Sequence, residues 1–331
     1  MLILVLGDPH FRKDNLDLME QACNEIIDII NIKKPDLVVC LGDTLDTHER
    51  IHLDPLYKAI KFFKLIATKC KLVILIGNHD RLNNSEFMTD KHPFMGLEDN
   101  KNIVVVYKTI YDKENNFVYV PYVPNGKFKE SLKSINYENL KPRLIFAHQE
   151  FYGSDLGPKK STTGDIWDPN EPLIISGHIH KYQKLKNIIY VGTFMQQNYG
   201  EDTDKAIMLI DINENNINFQ RIKLNCIIER KTIEIDFNEI QNLLKTLHIY
   251  NNYKLKVIVN LHSHERKGIK DNIYFKQLKK QVDKIELKTK KENNFIITKN
   301  IDIENMLFDL LRDDPYSIEI LKNEILPITS I

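Results

Sequence analysis

Three short apolar runs, each ending at a glycine and a polar residue, constrain the fold more than any other feature of the chain. The runs and their endings are 2-LILVL-6 with Gly7-Asp8, 37-LVVCL-41 with Gly42-Asp43, and 72-LVILI-76 with Gly77-Asn78. Amphipathic segments from about Leu16 to Ile32 and from about Pro55 to Thr68 separate the runs. This alternation predicts a parallel sheet covered by helices. Open α/β sheets build their sites beyond the carboxyl ends of the strands, which is where the polar residues lie.

Beyond Asn102 the strands follow one another more quickly, which predicts a second, largely antiparallel sheet. Its strands are predicted at 103-IVVVY-107, 117-FVYVPYV-123, 143-RLIFAH-148, 173-LIISGH-178, 188-IIYVG-192, 206-AIMLIDI-212 and 217-INFQRIKL-224. The pattern changes again near Ile227. Because 331 residues exceed what one hydrophobic core usually supports, we expect a large domain over residues 1–225, a small α+β domain over 226–294 and a helical tail over 295–331.

Composition excludes several classes of protein. With 46 basic and 46 acidic residues the chain is neutral, so any attraction to nucleic acid must come from local patches of Lys and Arg. No stretch approaches the roughly 18 apolar residues of a spanning helix, and the N-terminal run is too short for a signal peptide. The four cysteines have no CxxC spacing, which favours a reducing compartment over secretion.

Five motifs at predicted strand ends carry the chemistry: GDPH (7–10), GDTLD (42–46), GNHD (77–80), AHQE (147–150) and GHIH (177–180). Two divalent cations roughly 3.5 to 4 Å apart need mixed oxygen and imidazole ligands and one bridging carboxylate. Asp43 is the natural bridge. Asp8 and His10 are two residues apart, so both side chains can point to one side and chelate one ion, and the same holds for His178 and His180.

In this order the motifs resemble those of the calcineurin-like metallophosphoesterases, over roughly residues 1–225. The resemblance implies an α/β fold of two mixed β-sheets packed face to face and flanked by helices. It also implies the ligand set, with Asp8, His10, Asp43 and His180 on the first metal and Asp43, Asn78, His148 and His178 on the second. His79 would be the catalytic histidine, oriented by Asp80, and a metal-activated water would be the nucleophile.

A finer resemblance lies in 121-PYVPNGKF, 146-FAHQEFYG, 164-GDIWD, 177-GHIHKYQ and 192-GTFMQQNYGE. These segments are similar to the SbcD-type double-strand-break repair nucleases, especially those of phages and large viruses. That branch implies an exo- or endodeoxyribonuclease with two divalent ions, expected to be Mn²⁺, with Mg²⁺, Zn²⁺ and Fe as alternatives. It implies a capping domain and C-terminal helices that dock an SbcC-type SMC-like ATPase, together with homodimer formation. The compartment would be the cytoplasm, or the nucleus or viral factory of a eukaryotic virus.

Several residues near these motifs have two interpretations. Where some members of the branch carry a catalytic histidine this chain has Asp46, while His48 and His52 are expected to be solvated loop residues. Arg81 and Lys181 at the mouth, and Lys279 and Lys280 of the small domain, are the candidate DNA contacts, although lysines on a helix are more often solvated.

Two further features resemble functional residues, but the sequence favours a structural role for them. His262 and His264 repeat the HxH spacing without acidic partners, so we expect loop histidines. Trp167 is expected to anchor its loop on the core rather than stack on a base. The helix expected over about 303–325 packs either on its own domain or on a partner's coiled coil.

Two rival functions remain open at this level. The first is hydrolysis of a phosphomonoester, phosphoprotein or nucleotide, since the motifs specify hydrolysis and not what is hydrolysed. The second is a non-catalytic scaffold with the same fold, which predicts eroded ligand positions, whereas all of them are filled here.

Overall fold

The computed structural model of the protein describes residues 1–48, 50–214 and 216–290. Its strands are β1 (Leu2–Leu6), β2 (Leu37–Cys40), β3 (Lys71–Leu75), β4 (Ile103–Val106), β5 (Ile110–Asp112), β6 (Phe117–Val120), β7 (Leu144–His148), β8 (Ile174–Gly177), β9 (Gln183–Leu185), β10 (Ile188–Tyr190), β11 (Ile207–Ile212), β12 (Ile217–Ile222), β13 (Glu229–Asp236), β14 (Tyr253–Leu261) and β15 (Lys284–Thr289). Its helices are α1 (Leu16–Lys33), α2 (Leu53–Ala67), α3 (Phe128–Lys133), α4 (Ile240–Thr246) and α5 (Ile273–Gln281). The expected tail helix lies outside the described residues.

The first sheet has the order β12-β11-β1-β2-β3-β4, and β1 to β4 are parallel to one another. Leu4 and Leu6 of β1 pack with buried residues of α1 and α2. Ile3 and Val5 face the other way, against the second sheet. Both faces of β1 are therefore buried, which explains why its sequence is a continuous apolar run rather than an alternating one.

The second sheet has the order β5-β6-β7-β8-β10-β9 and packs face to face on the first, with Tyr119 and Phe146 in the shared core. Because β6, β7, β8 and β10 are parallel and only β5 and β9 are antiparallel to their neighbours, the prediction of a largely antiparallel sheet was wrong. The assignment of β4, β11 and β12 to this sheet was also wrong, since all three belong to the first sheet. Long connections, over residues 121–143 and 149–173, allow these parallel pairings.

The outer face of the second sheet is covered by α3 and by the loop that carries Trp167. Trp167 is 6% exposed, packs edge-on against Phe128, and donates a hydrogen bond from Nε1 to the Pro172 carbonyl at 3.0 Å. It therefore anchors its loop, as predicted. With helices on both outer faces of two mixed sheets, the predicted α/β/β/α architecture is confirmed.

A third sheet, which we call the cap sheet, consists of β13, β14 and β15 in parallel. One face, including Leu255 and Val257, packs on Leu243 of α4 and Phe275 of α5. The free edge of β13 meets the core loop at residues 196–200, where Gln196 Oε1 accepts from the Arg230 amide at 2.6 Å. The boundaries of the expected domains stay a prediction.

Among the described residues, no helix combines the length and apolar character that crossing a bilayer requires. All four cysteines are free thiols. Burial raises the pKa of the Cys40 thiol to about 12, which makes it an unreactive core residue.

Candidate metal centre

The ends of five strands converge where the two core sheets meet. Asp8, Asp43 and Asn78 follow β1, β2 and β3 of the first sheet, while His148 ends β7 and His178 follows β8 of the second. Parallel neighbours present their carboxyl ends at one edge, so packing the two sheets brings these side chains together. All five lie in the interior or are only partly exposed.

Asp8, His10 and His180 form one candidate metal group, with one ligand atom from each lying within 4.8 Å of the others. The Nε2 atoms of His10 and His180 are 2.9 Å apart. The His178 amide donates to Asp8 Oδ2 at 2.8 Å, whereas the buried Asp8 Oδ1 accepts no hydrogen bond from the described residues. Two converging imidazole nitrogens and an unsatisfied buried carboxylate oxygen are the donor set of a divalent cation.

Asp43, His148 and His178 form the second group. The amide oxygen of Asn78 lies between the two histidines, 3.0 Å from His148 Nε2 and 2.8 Å from His178 Nδ1. Asp43 Oδ1 is 3.3 Å from His148 Nε2, and Asp43 Oδ2 is 3.8 Å from His10 Nε2 of the other group. One carboxylate thus reaches both groups, which is the bridging position expected for Asp43.

The backbone is shaped to make room for these donors. A Cβ added to Gly77 would lie 2.2 Å from Asp43 Oδ1, and one added to Gly177 would lie 2.4 Å from Asp8 Oδ1. His10, Asp43 and His178 have φ angles of 49°, 46° and 77°, in the left-handed region that costs L-residues roughly 1 to 2 kcal/mol each. Such strain concentrates at functional sites. The donors and their cradle fit two divalent cations.

Asp43 and His148 of the second group stabilise each other's charged forms. Burial alone would raise the pKa of Asp43, but the neighbouring imidazoles, His148 first, hold it well below its usual range. Burial would lower the pKa of His148, yet the Asp43 carboxylate raises it to about 9. The centre therefore favours a charged carboxylate, and cations binding there would displace protons from the imidazoles.

His79 lies beside both groups, with its amide donating to Asp43 Oδ1 at 2.8 Å. Its Nδ1 is 2.8 Å from the Asp46 carbonyl oxygen, which leaves Nε2 directed toward the centre, 4.0 Å from Asp43 Oδ2. The ring is 30% exposed, so a substrate can reach it. His48 stacks on this ring at 4.5 Å between centroids.

The predicted role of Asp80 requires correction. Its carboxylate accepts from the amides of Thr44, Leu45 and Gly77, at 3.0, 2.9 and 3.2 Å, and not from the His79 ring. Burial and the Asp43 charge raise the pKa of Asp80 to about 7. Asp80 therefore ties the loop after β2 to the turn after β3, while Asp46 orients His79 through its carbonyl oxygen.

Sequence reasoning missed the partners that hold two of the histidines. His180 Nδ1 is 2.9 Å from Glu201 Oε1, and the buried Lys205 lies 3.1 Å from Glu201 Oε2. His148 Nδ1 is 2.8 Å from the Leu41 carbonyl oxygen. These contacts leave Nε2 of each ring for a metal, as outer partners of metal-bound histidines commonly do. Glu201 was visible only as the last residue of the GTFMQQNYGE segment.

The structure contradicts one of the four predicted DNA contacts and leaves the other three as predictions. Arg81 is 4% exposed and donates to the carbonyl oxygens of Tyr122 and Glu86, so the prediction that it meets a phosphate is wrong. Lys181 lines the cavity beside His178 and His180 and pairs with Asp155 at 2.6 Å. Lys279 and Lys280 are exposed on α5, which covers the helix-packed face of the cap sheet. The last three stay predictions.

The remaining histidines lie outside both candidate groups. His52 is exposed and precedes α2. His262 and His264 stack on each other at 5.7 Å in an exposed loop, and neither joins a candidate metal group among the described residues.

Comparison with known proteins gives a consistent assignment. Residues 1–182 match the family model described as calcineurin-like phosphoesterase. The chain is 36% identical over 279 residues to putative phosphoesterase 244L of Invertebrate iridescent virus 6, covering 82% of this chain and 97% of that protein. It is 33% identical to putative phosphoesterase 078R of Invertebrate iridescent virus 3, covering 83% of this chain and 81% of that one. It is 26% identical to the DNA double-strand break repair protein Mre11 of Thermoplasma acidophilum, covering 78% and 75%.

Proposed function

The chain belongs to the calcineurin-like phosphoesterase family, and from this premise we propose that it is a metal-dependent DNA nuclease subunit that hydrolyses phosphodiester bonds. Hydrolysis is supported by one observation: two groups of candidate metal ligands lie side by side next to His79, and the Asp43 carboxylate reaches both of them. The two groups would hold two divalent ions, which would supply Lewis acidity toward the phosphate and help to activate water.

The chain's own residues supply orientation and proton handling. Because His79 Nδ1 is held by the Asp46 carbonyl, the protonated ring would present Nε2–H to a phosphate oxygen or to the departing oxygen. Glu201 and the Leu41 carbonyl fix the rings of His180 and His148, so the ligands need little reorganisation before reaction.

DNA as the substrate is supported by the archaeal relative, which is named as a DNA double-strand break repair protein, and by the SbcD-like segments outside the ligand motifs. A small sheet domain after the core is the layout of that branch. The same resemblance is the basis for proposing Mn²⁺ as the metal, an SbcC-type ATPase as the partner and a homodimer as the assembly.

The proposal is tested by assaying purified protein with Mn²⁺ on linear DNA and on a chromogenic phosphomonoester in parallel. We expect DNA cleavage that EDTA abolishes and that His79→Gln reduces by about 10²- to 10⁴-fold. His262→Gln is the matched control, because it removes an exposed histidine outside the centre. Hydrolysis of the monoester with no cleavage of DNA would favour the first rival function, and no hydrolysis of any ester would favour the scaffold.

A further inference from the structure

A cleft lies between the open face of the cap sheet and the core loop at residues 197–200, with a volume of about 550 Å³. Arg12 of the core and four residues of the cap sheet contribute positive charge. The cations that line it are Arg12, Arg230, Lys254, Lys256 and Lys284, and the carboxylates are Asp14 and Asp283. In a chain with no net charge, five cations facing two carboxylates make a local positive patch.

Strand register concentrates this charge. Arg230 of β13 lies opposite Lys254 of β14, and Lys256 of β14 lies opposite Lys284 of β15. Side chains of directly paired residues point to the same face, so all four cations share the face turned away from α4 and α5. Like charges opposite each other destabilise a sheet, and breaking a local rule in this way is common at functional sites.

The four cations of the cap sheet differ in how far neighbouring side chains neutralise or stabilise their charge. Lys256 pairs with Glu286 at 2.5 Å, and Arg230 packs over the Tyr199 ring at 5.3 Å. Lys254 and Lys284, by contrast, form no ion pair within 4.0 Å in the described part of the chain, although the Glu286 carboxylate is near enough to attract Lys284. Their ammonium groups are therefore available to an anion from outside.

The cleft adjoins the metal centre. Asn198 and Gly200 line both the cleft and the 740 Å³ cavity that contains His178 and His180. Arg12 donates from its guanidinium to the Gln197 carbonyl at 2.5 Å and lies 3.7 Å from Asp46 Oδ1. The cleft and the cavity of the metal centre are therefore neighbours at residues 198 and 200.

We propose that this cleft binds the phosphate backbone of the same polynucleotide whose scissile phosphate lies at the metal centre. The inference rests on the proposed function and extends it. It assigns the affinity for a polynucleotide to the cleft between the cap sheet and the core, and not to the lysines of α5. A small phosphate ester would occupy the centre alone and gain nothing from the cleft. A polynucleotide would gain ionic contacts that weaken as salt displaces them.

The test compares two double variants with the same change in charge. Lys254→Gln/Lys284→Gln alters the cleft, and Lys279→Gln/Lys280→Gln alters α5 on the other face of the cap sheet. Each is assayed with Mn²⁺ on a single-stranded oligonucleotide of roughly 20 nucleotides, a length at which many phosphates are available, and on bis(4-nitrophenyl) phosphate, over a series of salt concentrations. Circular dichroism verifies that both variants are folded.

We expect the cleft variant to raise KM for the oligonucleotide by about tenfold relative to KM for the small diester. The slope of log KM against log salt should also fall by about 0.7 for each phosphate that the variant no longer neutralises. The α5 variant should keep the wild-type ratio and slope. Equal effects of the two variants, or an effect of the α5 variant alone, would overturn the proposal.

Fluorescence anisotropy separates the cleft from the proposed function. Tighter binding of a labelled oligonucleotide by the wild type than by the cleft variant supports the cleft as a binding site, whether or not the DNA is cleaved. Binding without cleavage would overturn only the proposed nuclease activity. Equal binding by the two proteins overturns the cleft, whatever the protein hydrolyses.

Discussion

The imidazole Nδ1 of His79 lies 2.8 Å from the carbonyl oxygen of Asp46, while the carboxylate of the same aspartate lies 3.3 Å from Nδ1 of the candidate ligand His10. Asp46 thus supports two histidines with two different groups. Its carboxylate also lies 3.7 Å from Arg12. The position where some relatives carry a catalytic histidine is therefore used here to hold others in place.

Asp46→Ala should separate these two roles. The substitution removes the carboxylate beside His10 and keeps the carbonyl that orients His79. We expect the affinity for Mn²⁺ to fall by about 10- to 100-fold, because outer partners of metal-bound histidines have effects of this size. The rate at saturating Mn²⁺ should stay within a few-fold of the wild type. Isothermal titration calorimetry and metal-dependent kinetics check both values, and a rate that metal does not restore would contradict the division of roles.

Glu201 should support His180 as the Asp46 carboxylate supports His10. Glu201→Gln removes the negative charge beside His180 Nδ1 and near Lys205, so the His180 ring keeps only a neutral, weaker acceptor and becomes a poorer metal donor. We expect Mn²⁺ affinity to fall by about 10- to 100-fold. Asp202→Asn is the matched control, because Asp202 is the neighbouring carboxylate and does not contact His180. Equal losses in the two variants would show that general charge, and not the contact, matters.

Most of the strands and the candidate metal ligands could be predicted from the sequence because both leave local signals. Apolar runs that end in Gly-Asp or Gly-Asn mark strand ends, and HxH and DxH spacings mark chelating pairs. What it could not reveal are contacts between distant segments. Asp80 is next to His79 in the chain, yet its carboxylate points to Thr44 and Leu45.

Arg81 and the second sheet show the same limit. Arg81 looked like a residue at the mouth, but the carbonyl oxygens that take up its guanidinium come from Tyr122 and Glu86, which only the fold brings near. Parallel pairing in the second sheet depends on where long loops lead, and a pattern of short strands does not encode that. In 254-KLKVIVNL the alternation of β14 was visible, although not which face would meet the core.

Gly177 should tolerate no side chain. A Cβ there would lie 2.4 Å from Asp8 Oδ1 and 3.0 Å from His148 Nδ1, so Gly177→Ala must displace a candidate ligand of each group. We expect loss of metal-dependent hydrolysis and destabilisation on the order of 1 to 3 kcal/mol from overpacking. Gly96→Ala is the matched control, since nothing lies within 4 Å of its added Cβ. Chemical denaturation and activity assays measure the two effects, and wild-type activity of Gly177→Ala would contradict the described geometry.

His92 should make stability depend on pH independently of the metal centre. Its buried ring accepts a hydrogen bond at Nδ1 from the Phe94 amide at 3.2 Å, and protonation would break that bond. Burial lowers the pKa of His92 below its usual value, although Glu98 Oε1 lies 3.5 Å from Nε2. Above the unfolded-state pKa of about 6.5 both states are neutral. As the pH falls below that value the unfolded state binds a proton first, so stability is lost.

His92→Gln should remove this loss, because a glutamine oxygen can accept from the Phe94 amide without titrating. As the pH falls from 8 to 5, the wild type should lose stability relative to His92→Gln. The loss in unfolding free energy should be about 1.4 kcal/mol for each unit by which folding lowers the pKa of His92. The substitution leaves the histidines of the candidate metal centre unchanged, so their contribution cancels in the difference. His264→Gln, which removes an exposed histidine, should track the wild type. Urea denaturation at several pH values in EDTA measures these differences, and parallel curves for wild type and His92→Gln would show that the His92 ring is protonated in the folded state as readily as in the unfolded one.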